Sequence, residues 1–150
     1  MSADMTAEQM GNVMAEQMVG RLSVINNGCP YIIPVHYLYE NGKIYFHSSK
    51  KGLKISCIKQ NPAVCFEVDE LIGIQSGESA CRFHTRYRSV LLNGSARILE
   101  DDNEKAVIID RLVWKYANGR QLQAPTEEAI RNVAIVEIEV QEMTGKCRED

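Results

Sequence analysis

The sequence predicts a mainly β fold with flanking helices, a small antiparallel barrel of six strands, and three observations carry that prediction. Tyr31 to Tyr39 and Lys43 to Ser48 are rich in aromatic and β-branched residues and flank Glu40-Asn41-Gly42, a strong hairpin signal. Ala134 to Val140 alternates Ala134, Val136, Ile138 and Val140 against Ile135, Glu137 and Glu139, the period of a half-exposed strand. Helical periodicity is confined to the start of the chain, to one short segment inside the strand region and to the stretch before the last strand, so the elements do not alternate as a parallel sheet demands. At 150 residues the chain makes one domain, 1–150, with enough buried surface to fold without staples.

Each element has its local reason. Thr6 with Gln9 makes a capping box, and Met10, Val13, Met14 and Met18 recur at helical spacing, which predicts a helix over about 7–19. Arg21 to Ile25 reads as a strand closed by Asn26-Asn27-Gly28. Gly52 to Gln60 reads as a short helix ended by Asn61-Pro62, since proline cannot continue it. Ala63 to Asp69 is a buried-looking strand, 71–80 a loop, and Arg82 to Leu99 one or two further strands. Asp102 can cap a helix from Asn103 to Ala117, in which Val107, Ile108, Arg111, Leu112 and Tyr116 alternate apolar and polar faces and which Asn118-Gly119 stops. Thr126 can cap a helical turn before the last strand, leaving a tail over about 143–150.

Composition narrows the function classes. Seventeen basic and twenty acidic residues leave a net charge of −3, which supplies no global field for nucleic acid or an anionic membrane. The start of the chain does not read as a signal peptide, and no apolar run reaches the length of a membrane span. Five cysteines with no C-x-x-C pair fit thiols in a reducing, cytoplasmic setting, with Cys57 and Cys65 expected to act as small buried hydrophobes. The signatures of serine hydrolases, zincins, Walker A loops and Rossmann dinucleotide sites are absent.

Three groups of residues could carry chemistry. If Asn41-Gly42 is a two-residue loop, Glu40 faces Lys43 and His36 falls opposite His47, two imidazoles on one face about 5 Å apart at Cβ. Two ligands alone make an incomplete zinc site, and no metal is assigned. The run His47-Ser48-Ser49-Lys50-Lys51-Gly52-Leu53-Lys54 leads from a strand into a helix, so hydroxyls, lysines and free N–H groups gather at the positive end of a helix, which suits a phosphate. Arg82, His84, Arg86 and Arg88 share one strand face, either an anion contact or a charged surface that discourages aggregation.

Taken together, Gly20-Arg21-Leu22, Pro30 to Tyr37, Gly42-Lys43-Ile44-Tyr45-Phe46-His47-Ser48, Lys54 to Pro62, Val64 to Val68 and Tyr87-Arg88-Ser89-Val90 with Gly94 resemble the pyridoxamine 5'-phosphate oxidase-like flavin-binding family, over about residues 17 to 142. Within it the chain is most similar to the nitroimidazole-resistance branch. The resemblance implies an FMN-binding split β-barrel and a homodimer with FMN at the subunit interface. It implies that Pro34, Val35, His36 and Tyr37 line the flavin ring, that His47 and Ser48 lie near the flavin or its phosphate, and that Lys54, with Lys51 beside it, holds the phosphate. Arg88 and Ser89 fall where the oxidases present polar groups to the flavin, and His47 matches the histidine associated with the active site. The oxidase phosphate motif has an arginine directly before its lysine, where this chain has Leu53, and the oxidases' C-terminal substrate segment has no counterpart. The implied activity is an FMN-dependent oxidoreductase that takes electrons from a small donor and reduces a small electron-poor acceptor such as a nitroaromatic. The alternative is a non-catalytic flavin- or haem-binding protein on the same barrel.

Overall fold

The expected hairpin forms as read. Asn41 and Gly42 take positive φ of 52° and 72°, and Glu40 pairs with Lys43, the geometry of a tight primed turn that asparagine and glycine accept. The structure is a computed structural model that describes residues 2–77 and 83–149. In chain order the elements are β1 (Ala3–Asp4), α1 (Ala7–Glu16), β2 (Gly20–Asn26), β3 (Cys29–Val35), β4 (Leu38–Glu40), β5 (Lys43–Ser49), α2 (Leu53–Gln60), β6 (Ala63–Gln75), β7 (His84–Leu99), α3 (Asp102–Ala117), α4 (Glu127–Asn132) and β8 (Val133–Arg148).

All the strands join one antiparallel sheet in the order β3-β2-β6-β7-β8-β5-β4, with β1 on β8. The class is the expected one, but among the described residues the strand count is eight rather than six. One extra strand is the short β1. The other arises because Tyr31 to Tyr39 is not one strand: β3 pairs with β2, β4 pairs with β5, and His36 and Tyr37 belong to neither. Pro30 and Pro34 lack a ladder donor, which suits β3 to the sheet edge it occupies.

Those two edges are the key to the shape. Val35 to Leu38 is three Cα steps, a reach of at most about 11 Å, so a sheet whose first and last strands are joined this closely has to curl until its edges nearly meet. The result is a split barrel whose split lies at His36 and Tyr37. Its interior holds Leu22, Val24, Ile44, Phe46, Phe66 and Val68, with Val13 and Met14 of α1 and Ile55 and Ile58 of α2 packed against it. Each fully buried large side chain contributes about 1.5–3 kcal/mol. A smaller cluster of Leu99, Ile108, Leu112 and Ile135 seats α3 on the outside.

Several boundaries differ from the local reading. Helix α1 keeps its capping box, with Thr6 N–H donating to Gln9 Oε1 at 2.8 Å and Gln9 N–H to Thr6 Oγ1 at 3.2 Å, but it ends at Glu16, and Met18 and Val19 are exposed. The cap of α3 is Asp101, which accepts from Glu104 N–H at 2.8 Å, rather than Asp102. The expected tail over 143–150 is the second half of β8, paired with β7 as far as Arg148. Gly145 sits there beneath α1, where a Cβ would stand 2.6 Å from Met10 Cγ. Within the expected 71–80 loop, β6 continues through Gln75; residues 78–82, including Arg82 of the basic stripe, lie outside the described residues. Among the described residues, no helix is long and apolar enough to cross a membrane.

Candidate functional site

The split is held by the end of α3. At Tyr37 the backbone has left the ladder, and the Tyr116 hydroxyl takes up what the ladder released: it accepts from Tyr37 N–H at 2.7 Å and lies 2.9 Å from Tyr37 C=O and 2.7 Å from Met18 C=O. The Tyr37 ring turns into the core, where its hydroxyl donates to Met14 C=O at 2.8 Å and burial pushes its pKa well above the usual range. Lys115 Nζ lies 4.0 Å from the centre of that ring and donates to Gln17 C=O at 3.0 Å, and burial brings its pKa down to about 8. The His36 ring is left outside, stacked on Tyr116 with centroids 4.7 Å apart and planes 30° from parallel.

Beside this clamp the split opens into a cleft of about 370 Å³ lined by Val19, Pro34, Val35, His36, His47 and Lys54. Five of these were marked by the sequence, and they arrive from three elements: β3 and its exit, the exposed face of β5 and the first turn of α2. The ladder of β4 and β5 ends at Leu38 with Tyr45, so His36 and His47 are not a cross-strand pair in the strict sense, yet both reach the same cleft. Both also line an adjoining cavity of about 380 Å³ whose other walls are mostly apolar, among them Leu112, Val113 and Tyr116 of α3 with Leu122 and Pro125. The two histidines therefore stand between a cleft with a cation and a cavity without one.

Lys54 is at the start of α2, whose cap is Gly52 at φ 131° with no side-chain hydrogen bond to the helix. That conformation favours glycine, and it leaves the first N–H groups of the helix free for an anion beside the Lys54 ammonium. A cationic, donor-rich end and an apolar strand edge, Pro34 and Val35, together fit a planar cofactor that carries a phosphate.

The remaining marked residues go elsewhere. Tyr37 lies in the core, so its side chain is not presented to the cleft. Ser48 faces inward from β5 and its buried hydroxyl has no partner. Lys51 is exposed in the turn, where its carbonyl accepts from Ser49 Oγ. Arg88 is engaged within the chain, Nε 2.6 Å from Glu149 and Nη1 3.1 Å from Glu70, and neither it nor Ser89 lines the cleft. Arg86 likewise donates to Glu149 C=O at 2.8 Å, so both described arginines of the basic stripe are tied to the chain's own carboxylate and carbonyl groups. Of the thiols, Cys57 is buried as expected, whereas Cys65 is half-buried. Tyr116, Lys115 and Val19 were not marked, and nothing local in the sequence could have joined them to His36.

The family model described as pyridoxamine 5'-phosphate oxidase matches residues 6–147. The chain belongs to the pyridoxamine 5'-phosphate oxidase family. No curated protein matches it in sequence. Solved structures similar to this family member include a candidate 5-nitroimidazole antibiotic resistance protein from Bacteroides thetaiotaomicron, at 24% identity and TM-score 0.84, covering 97% of this chain and 87% of that one. Another is the FAD and heme binding protein from Mycobacterium smegmatis, at 18% identity and TM-score 0.89, covering 99% and 74%. A third is the flavocytochrome Anf3 from Azotobacter vinelandii, at 22% identity and TM-score 0.82, covering 99% and 70%. At these identities the likeness shows that the pyridoxamine 5'-phosphate oxidase family member shares their fold.

Proposed function

We propose that the protein is an FMN-dependent oxidoreductase that reduces a small electron-poor acceptor such as a nitroaromatic. The observation that carries this reading is the cleft at the barrel split, where Lys54 and the uncapped start of α2 gather beside the apolar edge of β3 and the two histidines. Lys54 and the α2 N–H groups hold the phosphate, and Pro34 and Val35 seat the ring. FMN, when bound, supplies transfer of electrons between a donor and an acceptor. His47 orients the reacting partner and supplies a proton to the reduced acceptor, while His36, stacked on Tyr116, shields the site from water. The adjoining apolar cavity, which shares both histidines, receives the acceptor. The working form is a homodimer in a reducing cytoplasmic setting, the second copy covering the open side of the cleft.

The visible absorbance of the purified protein before and after adding FMN and desalting tests this. Retained flavin bands are expected, with Lys54→Ala weakening FMN binding by about 1–3 kcal/mol, the scale of losing a charged hydrogen-bond partner. Unchanged affinity in Lys54→Ala would sink the phosphate assignment. His47→Ala is expected to keep flavin and lose turnover with reduced nicotinamide and a nitroaromatic; turnover equal to the parent protein would return His47 to a structural role. A second reading, a non-catalytic flavin or haem binder, draws on the fold shared with an FAD and heme binding protein. It predicts a Soret band on reconstitution that depends on His36 or His47, and no reduction of acceptors.

A further inference from the structure

A different cavity, of about 440 Å³, opens where α2, α3 and α4 meet the ends of β7 and β8. Its floor is apolar, from Ile55, Ile98, Leu99 and Ala134. Four cations border it, Lys50, Lys59, Lys105 and Arg131, against two carboxylates, Glu100 and Asp102. The local surplus is therefore two positive charges in a chain whose net charge is −3.

Lys105 lies in the first turn of α3, a 16-residue helix, and is only 3% exposed. Its partner is Asp102 at 2.8 Å, a carboxylate that is itself half-exposed. Lys105 first and then Arg131 and Lys50 hold that carboxylate below its ordinary range, so three cations converge on one acid. Among the described residues, Lys50 and Lys59 make no ion pair, and Arg131 has only a 3.8 Å contact with Glu127.

A second observation comes from β5. Ser48 Oγ is buried without a hydrogen-bond partner, and Ser48 pairs across the ladder with Ala134, which lines this cavity. Cross-strand partners project to the same face, so the unsatisfied hydroxyl shares the inward face of Ala134 at the edge of the cavity without lining it, whereas its neighbour His47 faces the cleft. The His47–Lys54 segment thus separates two anion-favouring regions.

We propose that this cavity binds a phosphorylated nucleotide, with the phosphate among Lys50, Lys59, Lys105 and Arg131 and the base on the floor of Ile55, Ile98 and Leu99. A phosphate alone leaves the floor unused, and the volume is that of a small-molecule site. The site is separate from the flavin cleft and does not depend on the flavin reading.

Calorimetric titration of the full-length protein with adenosine 5'-monophosphate tests it, using exposed residues because a buried Lys105 variant could fail to fold. One saturable site is expected, weakened about tenfold by Arg131→Ala and by Lys59→Ala, weakened by salt and unchanged by Lys54→Ala. Absence of saturable binding, binding indifferent to both variants, displacement of the nucleotide by FMN, or inorganic phosphate binding as tightly as the nucleotide would each overturn the proposal. The source of the nucleotide is then read from the same variants. If it is part of a nicotinamide donor, Arg131→Ala raises KM for that donor and leaves kcat and FMN affinity alone. If it is the adenylate half of the cofactor, the protein holds FAD more tightly than FMN and Arg131→Ala removes the difference. A nucleotide site with neither effect serves a free nucleotide.

Discussion

Tyr116 is the residue on which the geometry of the split depends. Its hydroxyl satisfies the N–H that Tyr37 loses on leaving the ladder, and its ring backs His36. Tyr116→Phe keeps the ring but leaves Tyr37 N–H in a half-buried position without a partner, which costs about 1–3 kcal/mol. Urea denaturation should report that loss, and a stability equal to the parent protein would show that water replaces the hydroxyl. At this scale the sequence was legible where chemistry is local. His47 and Lys54 lie seven residues apart around a strand-to-helix turn, and Pro34 to His36 lie just before the hairpin. Tyr116 was legible only as part of an apolar helix face, because its hydroxyl acts on Tyr37, 79 residues away. The pairing of Arg88 was hidden for the same reason: its carboxylate partners are Glu70 and Glu149, and neither can be paired with it from spacing alone.

At the scale of elements, α3 acts as a clamp whose last turn reaches across the exit of β3. Lys115 is the charged part of it, and burial lowers its pKa to about 8. The folded state therefore binds fewer protons than the unfolded chain between about pH 8 and the ordinary lysine range near 10.4, and stability contributed at this site rises with pH across that window. The expected outcome is that the stability of the parent protein relative to Lys115→Met increases from pH 8 to pH 10. A flat difference would show that Lys115 is as well solvated in the folded state as in the unfolded one. The elements themselves followed local signals closely where a cap or a turn defines them, as at Thr6, Asn41-Gly42, Asn118-Gly119 and Thr126. They departed where a partner decides. Lys115 and Tyr116 hold the carbonyls of Gln17 and Met18, and α1 stops short of the apolar residues that its period would include. The second half of β8 carries few apolar residues in sequence, and its strand character comes from pairing with β7.

The whole molecule is a sheet whose two edges are two residues apart, and the candidate site lies where those edges meet. Beside the split, Val19 and Ile32 are exposed large apolar side chains, and the cleft is open to solvent along β3. The proposed homodimer would cover this surface, so light scattering in solution should return a mass of twice the 16.9 kDa chain. FMN loading should strengthen the association if the second copy covers the cleft. A protein that remains at 16.9 kDa with flavin bound would show that one chain completes the site.

The sequence by itself determined the class of fold, the capped starts of α1 and α4, the tight hairpin, the stop of α3 and a set of candidate residues around a strand-to-helix turn. These depend on interactions between residues a few positions apart, whose geometry the backbone dictates. The tertiary structure decided that the strand through His36 and Tyr37 breaks and that β3 and β4 become opposite edges of one curled sheet. It also decided that Lys54, His47 and Pro34 share a cleft while Arg88 and Ser48 do not. Those outcomes rest on partners distant in sequence, as with Tyr37 and Tyr116, 79 residues apart, and the free energy that selects them comes from packing and hydrogen bonding that exist only once the barrel has curled around its core.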